Sequence, residues 1–493
     1  MDVRRVVAVI AAVVVMGVVP AVASASPSSL TWRPCATQQE PTAECATVDV
    51  PIDRARPELG SARLALARLP ALDASRRIGS LLVNPGGPGG SGVGFVQFGG
   101  LASPDLARLR QRFDVVGFDP RGDWFSTPRI TCDPGTLFDP ALDRFPASRP
   151  GFDALVAHNR AAGEDCLART GPLLANADTQ SAAEDIETIR AALGEPKISW
   201  LGLSYGTELG AVYASKHPDR VRTMVLDGAV DHARPLRQAI LEEAAATEDA
   251  LVRFADWCGG SAECALHGRD VLRFYDDVVS RASRGAVWAS DLGRPATADE
   301  VSAGVYNHLY IRAEWPALGG ALAAAGGEFP DARGLTERNQ FLSPIYGAYR
   351  AIGCHDFPSP FTGPADMGVT AGLLRAVAPH SWRYSEFWDF TSGCTGWPVP
   401  PKNPPQPHPV HGAPPILVVG GAHDPATPLS WARGLAASID GAALLTRTDD
   451  GHTGLFNSAC AREAEVNYLV SGLTPGSRQL CRGSREQEPG SPR

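Results

Sequence analysis

The fold is decided by one stretch of the chain, 198-ISWLGLSYGTELGAVY-213. Residues 198–203 form an apolar run typical of a buried strand, and apolar residues recur at helical spacing over 209–213. Between them lies Gly202-Leu203-Ser204-Tyr205-Gly206, the one GxSxG sequence in the chain. Small residues at both ends of such a turn let strand and helix approach closely, and the strained backbone raises the serine hydroxyl to the sheet edge. The stretch therefore predicts a strand-turn-helix elbow with Ser204 as nucleophile. A glycine-rich turn with an incidental serine is the alternative.

Other short apolar runs also end in turn residues, and helical patterns separate them. Strands are predicted at 78–83, 113–118, 198–203, 221–226, 416–419 and 443–446. Strands that alternate with helices predict an α/β fold with a mostly parallel sheet flanked by helices. Polar residues follow these strands, and the ligand crevice of such a sheet lies outside the carboxyl ends of its strands.

The strand rhythm stops between residues 233 and 405. This segment carries helical patterns and then Pro-rich and Trp-rich stretches, so we interpret it as a large, mainly helical lid. The predicted core is then formed by residues 26–232 and 406–482, and we expect 483–493 to be a mobile polar tail.

Residues 1–25 have the pattern of an export signal. Arg4 and Arg5 precede an apolar run at 6–20, and Ala23-Ser24-Ala25 offers a cleavage site. A membrane anchor is disfavoured, because the apolar run is shorter than the roughly 20 residues needed to cross a bilayer. We expect a secreted, extracellular protein with no membrane contact after signal removal.

Ten cysteines follow this signal. An even number of cysteines in an exported chain without CxxC pairs predicts disulfides rather than zinc ligation. Sequence alone allows many pairings, and we expect nearest neighbours to pair: Cys35 with Cys45, Cys132 with Cys166, Cys258 with Cys264, Cys354 with Cys394, and Cys460 with Cys481.

Composition restricts the partners. The 493 residues are 44% hydrophobic and can bury a large core, and the net charge of −9 argues against a nucleic-acid partner. Nothing in the sequence indicates a metal or an organic cofactor. We expect a monomer that acts on a peptide or a small ester.

A serine hydroxyl becomes a good nucleophile only with a base in reach and a carboxylate that orients the base. In the elbow architecture the acid and then the histidine follow the serine, each in a loop after a late strand. His452, after the strand at 443–446, is the expected base, and Asp424, after 416–419, is the expected acid. Asp227 also follows a strand and is the chief alternative acid. Four other residues near these loops are expected to be structural: His355, His423, Asp449 and Asp450.

An oxyanion hole must supply backbone N–H donors to the oxygen that gains charge in the reaction. Tyr205, next after the nucleophile, is one expected donor. The other is expected from the loop 84-NPGGPGGSG-92, where Gly86 is preferred over Gly87. A phosphate-binding loop is the competing interpretation, but no Gly-Lys-Ser/Thr ending follows and Pro88 interrupts the GxGxxG spacing.

Taken together, these motifs resemble the secreted tripeptidyl aminopeptidases related to prolyl aminopeptidase, in the α/β-hydrolase superfamily. The resemblance rests on NPGGPGGSG (84–92), FDPRG with STP (118–128), GLSYGT (202–207), VLDGAVD (225–231), GGAHDPATP (420–428) and GHTG (451–454). It implies an α/β-hydrolase fold, a triad of Ser204, Asp424 and His452 under a helical cap, and release of short peptides from free N-termini. Asp123-Trp124-Phe125 and Glu208 depart from the family pattern beside the site, where they bear on substrate choice.

An aminopeptidase must also bind a cationic N-terminus, and an ammonium inside a partly closed cleft needs a carboxylate partner. Four carboxylates near the elbow or in the lid are candidates: Glu208, Glu242, Glu243 and Asp356. The same catalytic residues would hydrolyse an ester, so a carboxylesterase or lactonase is the alternative function. A binding protein with an inactive hydrolase fold is disfavoured, because every catalytic residue type is present.

Overall fold

A computed structural model describes residues 30–35, 42–100, 103–339, 341, 343–476 and 478–483. The predicted export signal at 1–25 lies outside the described residues, and so does the predicted tail apart from Gly483.

A ten-stranded sheet forms the centre of the molecule. The strands, numbered along the chain, are β1 (Arg33–Pro34), β2 (Glu44–Pro51), β3 (Ser61–Leu69), β4 (Gly79–Asn84), β5 (Phe113–Phe118), β6 (Ile198–Leu203), β7 (Val221–Asp227), β8 (Trp288–Ala289), β9 (Arg294–Pro295), β10 (Leu417–His423), β11 (Ala443–Asp450) and β12 (Arg478–Cys481). The strand order is β1-β2-β3-β5-β4-β6-β7-β10-β11-β12. Pairing is antiparallel from β1 to β5 and parallel from β5 through β4 to β12. β8 and β9 pair with each other outside this sheet.

Helices lie on both faces of the sheet and in the long insertion after β7. They are α1 (Gly92–Gln97), α2 (Pro104–Arg110), α3 (Pro134–Leu137), α4 (Arg149–Thr170), α5 (Thr179–Ala192), α6 (Tyr205–Lys216), α7 (Leu236–Gly260), α8 (Val271–Ala282), α9 (Ala298–Leu309), α10 (Trp315–Ala325), α11 (Arg333–Thr336), α12 (Tyr346–Asp356), α13 (Pro364–Val377), α14 (Glu386–Gly393), α15 (Leu429–Ala437), α16 (Gly454–Asn457) and α17 (Ala459–Ser471). None of the described helices combines the length and the apolar character that crossing a bilayer requires.

The central strands are apolar along their length because both of their faces are covered. Leu82 of β4 and Trp200 of β6 pack on one face against α5, α6 and α15. Their neighbours Leu81 and Leu201 pack on the other face against α1, α2 and α17. Strands buried on both faces appear as continuous apolar runs, which is why they could be found in the sequence.

Helices α7–α14 lie between β7 and β10, within the segment predicted to be the lid. The part from α8 to α11 packs on the end of α7 around Phe254 and Trp315. The part from α12 to α14 packs on a second core that also contains Phe152 and Leu155 of α4. Helix α4 precedes the predicted lid, so the layer above the sheet is built from two separate parts of the chain.

The ten cysteines form five disulfides, with the nearest-neighbour pairing that the sequence analysis expects: Cys35–Cys45, Cys132–Cys166, Cys258–Cys264, Cys354–Cys394 and Cys460–Cys481. The Cys354–Cys394 bond joins α12 to the end of α14, and Cys460–Cys481 joins α17 to the edge strand β12. Such bonds stabilise a fold by restricting the unfolded chain.

We predict that the purified protein has no free thiol, because all ten cysteines are paired. Titration with a thiol reagent under denaturing, non-reducing conditions should give zero, and reduction should lower the free energy of unfolding by about 2–4 kcal/mol for each bond broken. One or more reactive thiols per chain would contradict this pairing.

Candidate active site

The turn after β6 holds Ser204 in a strained conformation at the sheet edge. Its backbone has φ +56° and ψ −127°, a conformation that residues other than glycine rarely adopt. The Ser204 N–H donates to the carbonyl of Asp227 at 2.9 Å, which fixes the turn against β7. The flanking glycines are required by space, because a Cβ on Gly206 would lie 2.7 Å from the carbonyl oxygen of Asn84. The structure therefore forms the strand-turn-helix elbow that the sequence predicts.

Two loops that follow β10 and β11 bring a carboxylate to a histidine. Nδ1 of His452 lies 2.8 Å and 3.0 Å from the two carboxylate oxygens of Asp424. The Asp424 carboxylate also accepts the backbone N–H groups of Ala426 (3.0 Å) and Thr427 (2.9 Å). Burial by itself raises the pKa of Asp424, but the facing His452 and the guanidinium of Arg447 outweigh it and hold the pKa at about 2. Asp424 is thus a fixed anion beside the histidine at neutral pH.

Arg447 is a residue of the candidate site that the sequence analysis missed. Its guanidinium is fully buried and donates from Nη2 to Asp424 at 3.2 Å. It also donates to the backbone carbonyls of Asp449 (2.8 Å) and Gly451. Arg447 therefore joins the acid to the loop that carries His452, and it offsets the cost of burying a carboxylate.

The imidazole ring of His452 lies beside the residue that follows Asp227, the residue that fixes the elbow. Gly228 follows Asp227, whose carbonyl accepts the backbone N–H of Ser204. A Cβ on Gly228 would lie 3.0 Å from Cε1 of His452. Nε2 of His452 is buried and has no hydrogen-bond partner within the described part of the chain. Catalytic hydrogen bonds are often long in structures without substrate. With Nδ1 turned to Asp424, Nε2 is the atom available to take a proton from Ser204.

Asp227, the alternative acid, does not contact His452. Its two carboxylate oxygens accept the N–H groups of Gly454 and Leu455, each at 2.8 Å. These N–H groups open the short helix α16 directly after the histidine loop. The structure thus brings Asp424, and not Asp227, to the histidine, while Asp227 fastens the following turn to β7.

The histidines expected to be structural are engaged elsewhere. Nε2 of His355 lies 2.8 Å from the carbonyl of Leu174, and Nδ1 of His423 lies 2.8 Å from the carboxylate of Asp249.

The oxyanion donors differ in part from the sequence-based preference. Tyr205 is the first residue of α6, so its N–H has no partner inside the helix. Gly86 has φ +90°, and a Cβ there would lie 2.9 Å from Cβ of Ser204. However, the N–H of Gly86 already donates to the side chain of Asn84 at 3.0 Å. Gly87, whose N–H makes no hydrogen bond in the described part of the chain, replaces Gly86 as the candidate second donor.

Two of the four predicted amine-binding carboxylates are buried behind the elbow. Asp356 accepts the hydroxyl of Thr179 at 2.6 Å, and Asn403 donates to both Asp356 (3.0 Å) and Glu208 (3.1 Å). Burial raises the pKa of both carboxyls. The hydroxyl of Tyr205 bonds to Thr179, so this cluster supports the elbow from below. Neither carboxyl contacts Ser204 or His452.

The other two predicted carboxylates are bound to the lid and the core. Glu243 accepts the Tyr306 hydroxyl at 2.8 Å and the Phe387 N–H at 2.8 Å, so it caps the start of α14. Glu242 accepts the indole N–H of Trp431 at 2.7 Å. Because these oxygens already have strong partners, Glu242 and Glu243 are not suited to bind an ammonium group.

A different lid carboxyl, Glu386, belongs to a tyrosine cluster that packs on His452. The ring of Tyr310 packs against the ring of His452 with centroids 4.8 Å apart. The Tyr310 hydroxyl donates to Tyr306 at 3.2 Å, and Tyr306 donates to Glu243, which also accepts the backbone N–H of Glu386 at 3.0 Å. Burial raises the pKa of Glu386 well above its usual value, and the neighbouring Glu243 adds to the rise.

A lid tyrosine borders the oxyanion loop. Tyr349 of α12 lies against that loop, since a Cβ on Gly89 would be 3.6 Å from its backbone nitrogen. Burial raises the pKa of Tyr349 well above its usual value, and the nearby Glu386 adds to the rise. The Tyr349 hydroxyl is buried and has no hydrogen-bond partner among the described residues. Helix α12, which borders the oxyanion loop, thus carries a buried hydroxyl without a hydrogen-bond partner among the residues that the structure describes.

The loop that departs from the family pattern contacts the oxyanion loop. The indole N–H of Trp124 donates to the carbonyl of Gly89 at 3.0 Å. Trp124 has φ +22°, a strained value for a bulky residue. The departure noted in the sequence therefore bears on the wall of the site.

Comparisons with known proteins agree with this geometry. A family described as "alpha/beta hydrolase fold" matches residues 79–301, and one described as "TAP-like protein" matches 380–481. The serine protease Hip1 of Mycobacterium tuberculosis is 34% identical over 91% of this chain and 90% of its own length. The chain belongs to the α/β-hydrolase family.

Two other relatives of this α/β hydrolase carry different activity names. A tripeptidyl aminopeptidase of Streptomyces lividans is 32% identical over 94% of this chain and 89% of its own length. Carboxylesterase B of Mycobacterium tuberculosis is 35% identical over 91% of this chain and 89% of its own length. The chain is a serine hydrolase, and its relatives include both peptidases and an esterase.

We predict that Ser204→Ala or His452→Ala lowers kcat by about 10⁴-fold or more, because each removes a group that acts in the transition state. Asp424→Asn should also lower kcat strongly, since the amide cannot hold the imidazolium in the same way. Steady-state kinetics with folded protein, verified by circular dichroism, measures these effects.

The matched control is Asp227→Asn, which changes another buried carboxylate on a neighbouring strand. It should cost stability through the turn at α16 and reduce kcat far less than Asp424→Asn. If Asp227→Asn were inactive but folded, and Asp424→Asn retained the wild-type rate, the acid would be misassigned.

Proposed function

We propose that this chain is a secreted serine exopeptidase that releases short peptides, of the tripeptidyl type, from free N-termini. The proposal is carried by one observation: a cluster of lid tyrosines and carboxyls that includes Glu386 packs through Tyr310 on His452, the partner of Asp424. The kinship with a tripeptidyl aminopeptidase and with a serine protease supports it. Export is supported by the five disulfides, which are typical of oxidising compartments.

In the proposed mechanism, Oγ of Ser204 attacks the scissile carbonyl carbon while Nε2 of His452 takes the hydroxyl proton. The imidazolium is stabilised by the Asp424 carboxylate at Nδ1. The N–H groups of Tyr205 and Gly87 donate to the carbonyl oxygen as it becomes negative. The C–N bond then breaks, and His452 gives its proton to the departing amine. Water, activated by His452, hydrolyses the acyl-enzyme, so that a short peptide leaves and Ser204 is restored.

Glu386 would bind the substrate's ammonium group. Burial and the neighbouring Glu243 raise the pKa of the Glu386 carboxyl, which disfavours an unpaired charge there. An incoming ammonium favours the carboxylate form, and the vacant hydroxyl of Tyr349 can accept one of the ammonium hydrogens. Aromatic rings beside an ammonium add a cation–π attraction. The site therefore favours a free N-terminus over a blocked one.

We predict that N-acetylation of a peptide substrate lowers kcat/KM by about 10²-fold or more, which is roughly 3 kcal/mol for a lost, desolvated charge pair. In model peptides the α-amino group loses its proton at about pH 7.7–8.0. For free peptides kcat/KM should therefore fall as pH rises through that range, whereas an aryl ester without an amine should show no such fall. Equal turnover of blocked and free peptides would rule out an amine site.

A second prediction assigns this preference to one residue. Glu386→Gln should lower kcat/KM for free peptides by about 10²-fold and leave the hydrolysis of a small aryl ester within about threefold, because only the peptide brings a charge to the site. Glu242→Gln is the matched control, since Glu242 lies in the lid but is bound to Trp431. A loss of peptidase activity in the control and not in Glu386→Gln would refute the assignment.

A carboxylesterase is the second candidate function, and the relative named carboxylesterase B favours it. The catalytic residues would act on an ester by the same steps. A panel of free peptides, N-blocked peptides and aryl esters separates the two functions. An esterase would hydrolyse the esters and leave both kinds of peptide intact.

A further inference from the structure

The lid is hydrogen-bonded to the loop that carries His452. The backbone N–H of His452 donates to the carbonyl of Tyr310 at 2.7 Å. Tyr310 follows α9 and belongs to the lid, and its ring also packs on the imidazole. A Cβ on Gly451 would lie 2.7 Å from the carbonyl oxygen of Tyr310, so the histidine loop and the lid are too close for a side chain at this position.

The side chain of Asn457 holds this junction together. Nδ2 of Asn457 donates to the carbonyls of His452 (2.6 Å), Tyr310 (3.0 Å) and Thr453 (3.2 Å). Its Oδ1 accepts the backbone N–H of Arg312 at 2.9 Å. The amide orientation is fixed by these partners, because only Nδ2 can donate to carbonyls and only Oδ1 can accept an N–H. One side chain thus bonds to both the lid and the histidine loop.

An ion pair reinforces the same junction. Asp450, two residues before His452, has a side chain that is only 7% exposed. It pairs with Nε of Arg253 from α7 and lies 3.8 Å from Nε of Arg312. Buried or partly buried pairs are screened less by solvent than exposed ones. Two parts of the lid therefore hold the histidine loop from the same side.

We propose that Asn457 is a positioning residue for His452, and that through it the lid supports the catalytic base as well as covering the substrate. The inference rests on the proposed role of His452. Displacement of a catalytic group by about 1 Å can cost about 10²-fold in rate, so a small shift of this loop would lower kcat. Asn457 does not contact the proposed amine site, so substrate binding would be little changed.

The test is steady-state kinetics of the full chain with a free peptide and an aryl ester. Asn457→Ala should lower kcat by about 10–10²-fold for both substrates and leave KM within about threefold. Asn307→Ala is the matched control, because Nδ2 of this lid asparagine also donates to a carbonyl, that of Arg338, at 2.6 Å. The control should keep the wild-type kcat.

A pH profile separates positioning from a general loss of stability. In Asn457→Asp an ionised carboxylate cannot donate to any of the three carbonyls, but a protonated carboxyl can donate its one O–H to one of them. A polar cavity of about 90 Å³ beside Asn457 is lined by the charged groups Arg253, Arg312, Asp449 and Asp450. Tyr310 and His452, with Asp424 behind its ring, are further titratable groups at the junction. The ratio of kcat in Asn457→Asp to that in wild type should rise as pH falls, while the ratio for Asn457→Ala should stay flat.

If Asn457→Ala does not fold, Arg253→Ala tests the same support from the lid side. It should lower kcat several-fold with KM unchanged. The proposal is overturned if folded Asn457→Ala keeps kcat within about twofold of wild type, or if its loss of kcat/KM lies in KM alone. It is also overturned if the kcat ratio of Asn457→Asp to wild type does not change with pH and Arg253→Ala keeps the wild-type kcat. Full activity of His452→Ala would instead refute the proposed function.

Discussion

The contact between the Asp424 carboxylate and Nδ1 of His452 requires two loops from different strands to meet within 2.8 Å inside the protein. A buried carboxylate is costly unless its oxygens are satisfied. Here the donors are the histidine ring, the N–H groups of Ala426, Thr427 and Thr453, and the guanidinium of Arg447. All of them lie on the two loops or on β11. The groups that compensate the buried charge of Asp424 are therefore the same groups that hold the two loops together. The carboxylate remains ionised because these groups hold its pKa low.

The lid contributes to the site in two distinct ways. Tyr310 packs on the imidazole and its carbonyl accepts the backbone N–H of His452, so part of the lid is fixed to the catalytic loop. Glu386 belongs to the tyrosine cluster that packs on His452, and Tyr349 borders the oxyanion loop; in the proposed function these two residues bind the free amine. An α/β-hydrolase core alone serves peptidases and esterases equally, because the triad acts on any activated carbonyl. In the proposed function, the preference for peptides therefore comes from the lid.

Much of the site could be predicted because its residues follow strands in short local motifs. The bounds of β5 and β6 agree with the predicted strands, and Asp424 and His452 follow β10 and β11 as expected. The preference for Gly86 stays a prediction, but the structure favours Gly87 because the Asn84 side chain accepts the N–H of Gly86, a contact that no glycine pattern reveals. The four carboxylates that the sequence offered as amine-binding candidates do not contact the triad residues. Glu386 was not among those candidates, because lid packing depends on contacts between residues distant in sequence. An arginine in line with Ala443 and Leu445 on the apolar face of a strand was the available signal for Arg447.

The activation of Ser204 by His452 is tested most directly by covalent labelling with a fluorophosphonate, followed by intact-mass analysis and peptide mapping. This reagent forms a bond to a serine oxygen that a neighbouring base has activated, and it needs neither an amine site nor a particular peptide. The account predicts one label per chain in the wild-type protein, on Ser204, and labelling slowed by orders of magnitude in His452→Ala. Labelling of a different residue, or an equal rate in His452→Ala, would contradict it.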